Sequence, residues 1–115
     1  MAQMYSEFFA SLDSEIETIP EKAHEFHSYH LYVIKLRNPK LRRQVFEELA
    51  KRGIYCQIHY IPIYWHPYYR ENGFETTHLL KAEDFYERIL SIPMYPSLSD
   101  EELDFIFQSF NEILK

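Results

Sequence analysis

The residues best suited to chemistry concentrate in GIYCQIHYIPIYWHPYYRENG, Gly53 to Gly73, where His59 and His66 sit among six tyrosine and tryptophan rings and two prolines. Imidazole and phenol groups can hydrogen-bond phosphate or hydroxyl oxygens, and the rings can stack on a planar ligand. His59, Tyr60, Tyr64, Trp65 and His66 are the candidates. A plainer account makes His59 and Tyr60 alternating strand residues and the rest packing beneath a loop. The residue types leave both accounts open, but neither a strand nor a hairpin demands His59, Pro62, Trp65, His66 and Pro67 so close together.

Other constellations are weaker. His24, His27 and His30 have a spacing that would share one face of a continuous helix and suit a metal. Pro20 and the strand-forming residues from Tyr29 onward argue against that helix, so no metal site is expected. The single cysteine, Cys56, falls in the middle of an apolar stretch and reads as a small core residue. No serine occupies a G-x-S-x-G elbow, and two glycines cannot build a phosphate loop. Glu47 with Glu48 and Glu101 with Glu102 are adjacent on helices, where they solvate an outer face or favour a helix N-terminus. No complete catalytic centre is present.

The whole-chain totals narrow the classes further. At 115 residues, one domain with one core is expected, burying roughly two thirds of the surface of the unfolded chain. Acidic residues outnumber basic ones 18 to 12, and the basic ones are scattered. The counterion release that drives binding to nucleic acid is therefore poorly supplied. The apolar runs are too short for a membrane span, the stretch MAQMYSEFFA shows no charged n-region or cleavage site, and one cysteine excludes an internal disulfide. A cytoplasmic location is the expectation. Aromatic residues make up 17% of the chain, a surplus that points to an interface.

The elements that must position the candidates can be read from periodicity. Tyr5, Phe8, Phe9 and Leu12 predict an amphipathic helix without a capping residue before it. A polar connector broken by Pro20 follows, with a short extended piece at 16–19. Residues 29–36 predict a first strand. Asn38 and Pro39 form an N-cap and N1 pair, and Leu41, Val45, Phe46 and Leu49 make an apolar stripe that stops at Gly53. Residues 54–61 predict a second strand ending at Pro62. A loop with a single helical turn comes next, then a helix over 79–90 with Leu79, Ala82, Phe85, Tyr86 and Ile89 inward. LSIPM predicts a short third strand. Ser99 to Glu102 spells a capping box before a helix whose Leu103, Ile106, Phe107, Phe110, Ile113 and Leu114 share a face. The sum is an α/β two-layer domain, three or four strands with helices on one face.

SYHLYVIKL, RGIYCQIHYIPIYWHPYYRENGF and AEDFYERILSIPMYPSLSDEELDFI resemble, in order and spacing, the C-terminal domain of the DegT/StrS sugar-nucleotide aminotransferases. The H-Y-x-P run at His59 to Pro62 and the following PYYRENGF are its specific part. The likeness is greatest to the transaminases of pseudaminic acid biosynthesis. The resemblance implies the small domain of a fold type I pyridoxal-phosphate (PLP) enzyme. That enzyme would move an amino group from glutamate to a UDP-4-keto-6-deoxyhexose type of sugar nucleotide for surface or flagellin glycans. Residues 1–12 would be the tail of an interdomain helix, and 13–115 the small domain.

The resemblance further implies that His59, Tyr60, Tyr64 and His30 shape the substrate pocket in binding roles. It implies no catalytic or cofactor-binding residue here, because no lysine matches the family's Schiff-base segment. The partners implied are the sugar nucleotide, the amino donor, a large catalytic domain of the same protein and a second copy of the parent. The chain alone would bind no PLP and be inactive. Family members often carry histidine where this chain has Tyr64 and glutamine where it has His66, which bears on which substrate is taken. The other reading is a stand-alone α/β module that binds a ligand or protein through its aromatic face.

Overall fold

The computed structural model describes residues 1–12, 15–20, 22, 24 and 26–115. Its elements run α1 (Ala2–Ser11), β1 (Ile16–Thr18), β2 (Tyr32–Leu36), α2 (Pro39–Lys51), a 3₁₀ turn (Ile63–Trp65), a helical turn α3 (Pro67–Tyr69), a wide turn (Arg70–Phe74), α4 (Leu80–Arg88), β3 (Ile89–Ile92) and α5 (Asp100–Ile113). The expected α/β architecture of three to four strands is the one observed.

The three strands form an antiparallel sheet in the order β1-β2-β3, with Ile16 opposite Leu36, Tyr32 opposite Ile92 and Ile34 opposite Leu90. Alternation sends Tyr32, Ile34 and Leu36 of β2 into the core and leaves Val33 and Lys35 half-buried on the other face. Val45 and Leu49 of α2, Leu103, Ile106 and Phe110 of α5, and Tyr5 and Phe9 of α1 complete the core. The first helix is thus an integral layer. The Tyr5 hydroxyl donates to the Pro93 carbonyl at 2.6 Å, and the Phe9 ring meets Phe110 edge-on at 5.0 Å.

Local signals set the ends of the two long helices. Asn38 Oδ1 accepts from the Leu41 amide at 2.9 Å, with Pro39 at the first helical position. After α2 the chain reverses through Gly53 at φ +80°, a left-handed conformation that other residues adopt only with strain. At α5 both halves of the capping box form: Ser99 Oγ accepts from the Glu102 amide at 3.2 Å, and Glu102 Oε2 accepts from the Ser99 amide at 2.8 Å. Ser99→Ala should therefore cost about 1 kcal/mol, read as a fall of about 4 °C in melting temperature. A fall under about 1 °C would show that the box is dispensable.

Three expectations are corrected. Residues 54–61 do not form a strand; the segment makes a single bridge, Gln57 opposite Ser91, with hydrogen bonds of 3.0 and 2.8 Å. The reason lies across the gap. In this register the neighbouring rungs would pair residue 55 with Pro93, which has no N–H, and His59 with Ile89, whose N–H already donates to the Phe85 carbonyl at the end of α4. Ile54 and Cys56 still turn inward.

The face foreseen for α4 is not buried either. Leu79, Leu80 and Phe85 are exposed, Ala82 is at the surface, Tyr86 is half-buried against Trp65, and Ile89 is buried but belongs to β3. Polar links orient α4 instead. Asp84 lies 3.4 Å from Lys35, Arg88 Nε donates to the Leu36 carbonyl at 2.8 Å, and Arg42 Nε donates to the Glu87 carbonyl at 2.9 Å. While α1, α2 and α5 share the core face, α4 thus reaches Lys35 on the other. The loop after Pro62 holds more than one helical turn, with Gly73 at φ +94° closing the last.

Candidate functional site

Strand alternation decides where His59 lies. Leu90 and Ile92 of β3 face the core, so Ser91 and Ile89 point to the opposite side of the sheet, with Val33 and Lys35 across from them. His59 Nδ1 is 2.9 Å from Ser91 Oγ, which places the half-buried imidazole over that second face. Tyr60 follows with its ring edge-on to His59 at a centroid distance of 4.7 Å, and it is 71% exposed. Together they present an imidazole edge and a phenol hydroxyl at the surface, a pairing suited to holding oxygen-bearing groups.

Tyr64 occupies a different place. Its buried hydroxyl donates to Glu83 Oε1 at 3.0 Å and accepts from the Leu79 amide at 3.3 Å, tying the 3₁₀ turn to the start of α4. Burial raises the phenol above its ordinary range; the Leu79 N–H works the other way and the Glu83 carboxylate adds to the rise. His78 Nδ1 lies 3.4 Å from the same carboxylate oxygen. Ile61, Trp65, Arg70, Phe74 and His78 join Tyr64 around a cavity of about 420 Å³. The phenol at position 64 is therefore committed to Glu83.

His30 is exposed and precedes β2, which begins at Tyr32 rather than at residue 29. Among the described residues it makes no hydrogen bond or ring contact with His59, Tyr60 or Tyr64. The four candidates thus form one adjacent pair, one buried brace and one separate surface histidine. His27 Nδ1 accepts from the Tyr29 amide at 2.9 Å in a local turn. Among the described residues no three His, Cys, Asp or Glu side chains are grouped to hold a metal. Cys56 is buried, and burial pushes its thiol up to about 12. A thiol so protonated is a poor nucleophile.

Two partners of these candidate side chains escaped the sequence reading. Ser91, under His59, and Glu83, under Tyr64, are 32 and 19 residues away from the side chains they hold. The one available signal for Ser91 was a lone hydroxyl inside the apolar run ILSI.

The fold and the sequence both match known proteins. The model of the DegT/DnrJ/EryC1/StrS aminotransferase family matches residues 1–111. This chain belongs to that family. It is 38% identical over 84 residues to the UDP-4-amino-4,6-dideoxy-N-acetyl-beta-L-altrosamine transaminase of Helicobacter pylori, covering 71% of this chain and 22% of that protein. It is 33% identical over 94 residues to the spore coat polysaccharide biosynthesis protein SpsC of Bacillus subtilis, covering 77% and 24%.

Among solved structures, Spr1654 of Streptococcus pneumoniae in its PLP form superposes with a TM-score of 0.84 at 32% identity, over 96% of this chain and 29% of that one. The chain thus spans about a quarter of the length of these family members. Among the described residues no helix is long and apolar enough to cross a membrane.

The family's cofactor can be tested against the residues present. A Schiff-base lysine must be held largely out of water, so that its amine is free to attack. Lys35 is half-buried but ion-paired with Glu17 and Asp84. Lys51 bonds Glu48, which raises its pKa, and Lys22, Lys40, Lys81 and Lys115 are exposed. None fits the role.

Proposed function

We propose that this chain is the small domain of a PLP-dependent aminotransferase that transfers an amino group, from glutamate, to a keto sugar nucleotide for glycan biosynthesis. The family match over residues 1–111 carries the reading, and the likeness to a transaminase of an amino-sugar nucleotide supports its substrate class. In this reading residues 1–12 are the end of a helix joining two domains, residues 13–115 are the small domain, and the parent works as a homodimer. When bound, the cofactor supplies the electron sink for the chemistry. Its lysine lies outside these residues, since none here fits, and the chain alone is inactive.

What this chain contributes is one lip of the substrate cleft. His59 and Tyr60 hydrogen-bond oxygens of the sugar nucleotide. Tyr64 is a brace rather than a contact: through Glu83 and the Leu79 amide it fixes the turn that follows them. His30, exposed just before β2, would reach ligand only from the rim. The roles are binding and orientation, with no proton transfer assigned.

In the full-length enzyme, His59→Ala and Tyr60→Phe should each raise KM for the sugar nucleotide by about two- to tenfold, the loss of one hydrogen bond to a neutral group. The absorbance of the bound cofactor should not change. Melting temperature is measured on the same preparations. A lowered melting temperature with normal substrate kinetics would remove both residues from the site and make them packing.

A further inference from the structure

We infer that Ser91 is a positioning residue for His59, holding the imidazole as the tautomer protonated on Nε2 and so presenting an N–H donor to an oxygen of the ligand. The argument is an accounting of hydrogen-bond groups. Ser91 is 4% exposed in the middle of β3, and its backbone amide and carbonyl are both spent on Gln57. Among the described residues its hydroxyl has one partner, His59 Nδ1 at 2.9 Å. A hydroxyl carries one proton to donate, and a neutral imidazole has one donor and one acceptor nitrogen.

Two arrangements could span that distance. If Nδ1 carried the proton and donated to Ser91 Oγ, the serine proton would be left buried with no acceptor, which costs the desolvation of that group. If Ser91 donates to the Nδ1 lone pair, both groups are satisfied. The second arrangement leaves the ring proton on Nε2, at the half-buried, outward edge of the ring, where the described residues offer it no partner. A donor at that edge selects for ligand oxygens: phosphate, hydroxyl or carbonyl. The polar residue inside an otherwise apolar four-residue strand thereby acquires a task that packing does not require.

The part of this inference that concerns the ligand rests on the proposed function above; the tautomer does not. Long-range proton–nitrogen correlation spectra of the nitrogen-labelled chain, in mildly alkaline buffer, report which ring nitrogen of His59 bears the proton. The wild-type protein should show Nε2–H alone. Ser91→Ala should add a population protonated on Nδ1, and Ser91→Thr, which keeps the hydroxyl, should return the spectrum to one tautomer.

A wild-type His59 protonated on Nδ1, or mixed, overturns the inference. So does a Ser91→Ala spectrum identical to wild type. The wild-type spectrum decides the matter even where a variant fails to fold. In the full-length enzyme, Ser91→Ala should also raise KM for the sugar nucleotide about fivefold with kcat little changed, as for a weakened ground-state contact. A locked tautomer in the wild-type chain, lost in Ser91→Ala without any change in KM, would leave the Ser91–His59 relation standing and overturn His59 as a substrate contact.

Discussion

Phe9→Ala should remove about 3–5 kcal/mol of stability, the usual consequence of deleting a fully buried phenyl ring. Phe9 is 1% exposed, and its ring touches Tyr5, Phe8, Tyr32 and Phe110 at centroid distances of 6.1, 5.1, 6.4 and 5.0 Å. Those neighbours belong to α1, β2 and α5, so the cavity would open where three elements meet. They cannot all collapse onto it, because Tyr5 is pinned by its bond to the Pro93 carbonyl and Tyr32 by its bond with Ser6. A domain of ordinary stability, about 5–15 kcal/mol, would lose about a fifth of it at the least and nearly all of it at the most. Guanidinium denaturation of the wild type and Phe9→Ala gives the number directly. Phe26, 99% exposed, is the control: Phe26→Ala should change stability by no more than about 0.5 kcal/mol. A loss below about 1 kcal/mol for Phe9→Ala would mean that α1 docks without being needed.

Cys56 should resist thiol reagents in the folded protein by at least about a thousandfold relative to the denatured chain. Two effects act in the same direction. Its thiol is pushed from an ordinary value of 9.0 up to about 12, which lowers the thiolate fraction near neutral pH by about three powers of ten. Cys56 is also only 6% exposed, so a reagent must wait for the core to open. The same shift fixes a pH dependence. Because the folded value is raised, the neutral thiol's contribution to stability is fully present below pH 9 and is lost as pH climbs towards 12. Tyr5, raised by burial, loses its contribution above its ordinary value of 10.0 in the same way. Melting temperature should therefore fall steadily above pH 9. Labelling of the native protein at the rate of the denatured chain, or a melting temperature flat to pH 11, would contradict the buried thiol.

The long helices were legible because their signals are local. Asn38, Pro39 and Gly53 bound α2, Ser99 and Glu102 open α5, and in each case the deciding hydrogen bonds join residues no more than five apart. Apolar periodicity was enough to place Tyr5, Phe9, Val45, Leu49, Leu103, Ile106 and Phe110 in the core, since burial of one helical face is what that spacing accomplishes. The family, too, was readable from the H-Y-x-P run and its flanks. Other features depended on groups far away in the chain. Residues 54–61 alternate as a strand should, yet Pro93 has no proton to give and Ile89 has already given its own, so only the Gln57 rung forms. The apolar side of α4 stays exposed because Asp84, Arg88 and Glu87 anchor the helix through Lys35, Leu36 and Arg42. His59 and Tyr64, five residues apart in the same aromatic segment, part company because one finds Ser91 on the sheet and the other finds Glu83 on a helix. Sequence periodicity specifies which face of an element avoids water; which distant donor meets which acceptor is settled only when the sheet and helices close on one another.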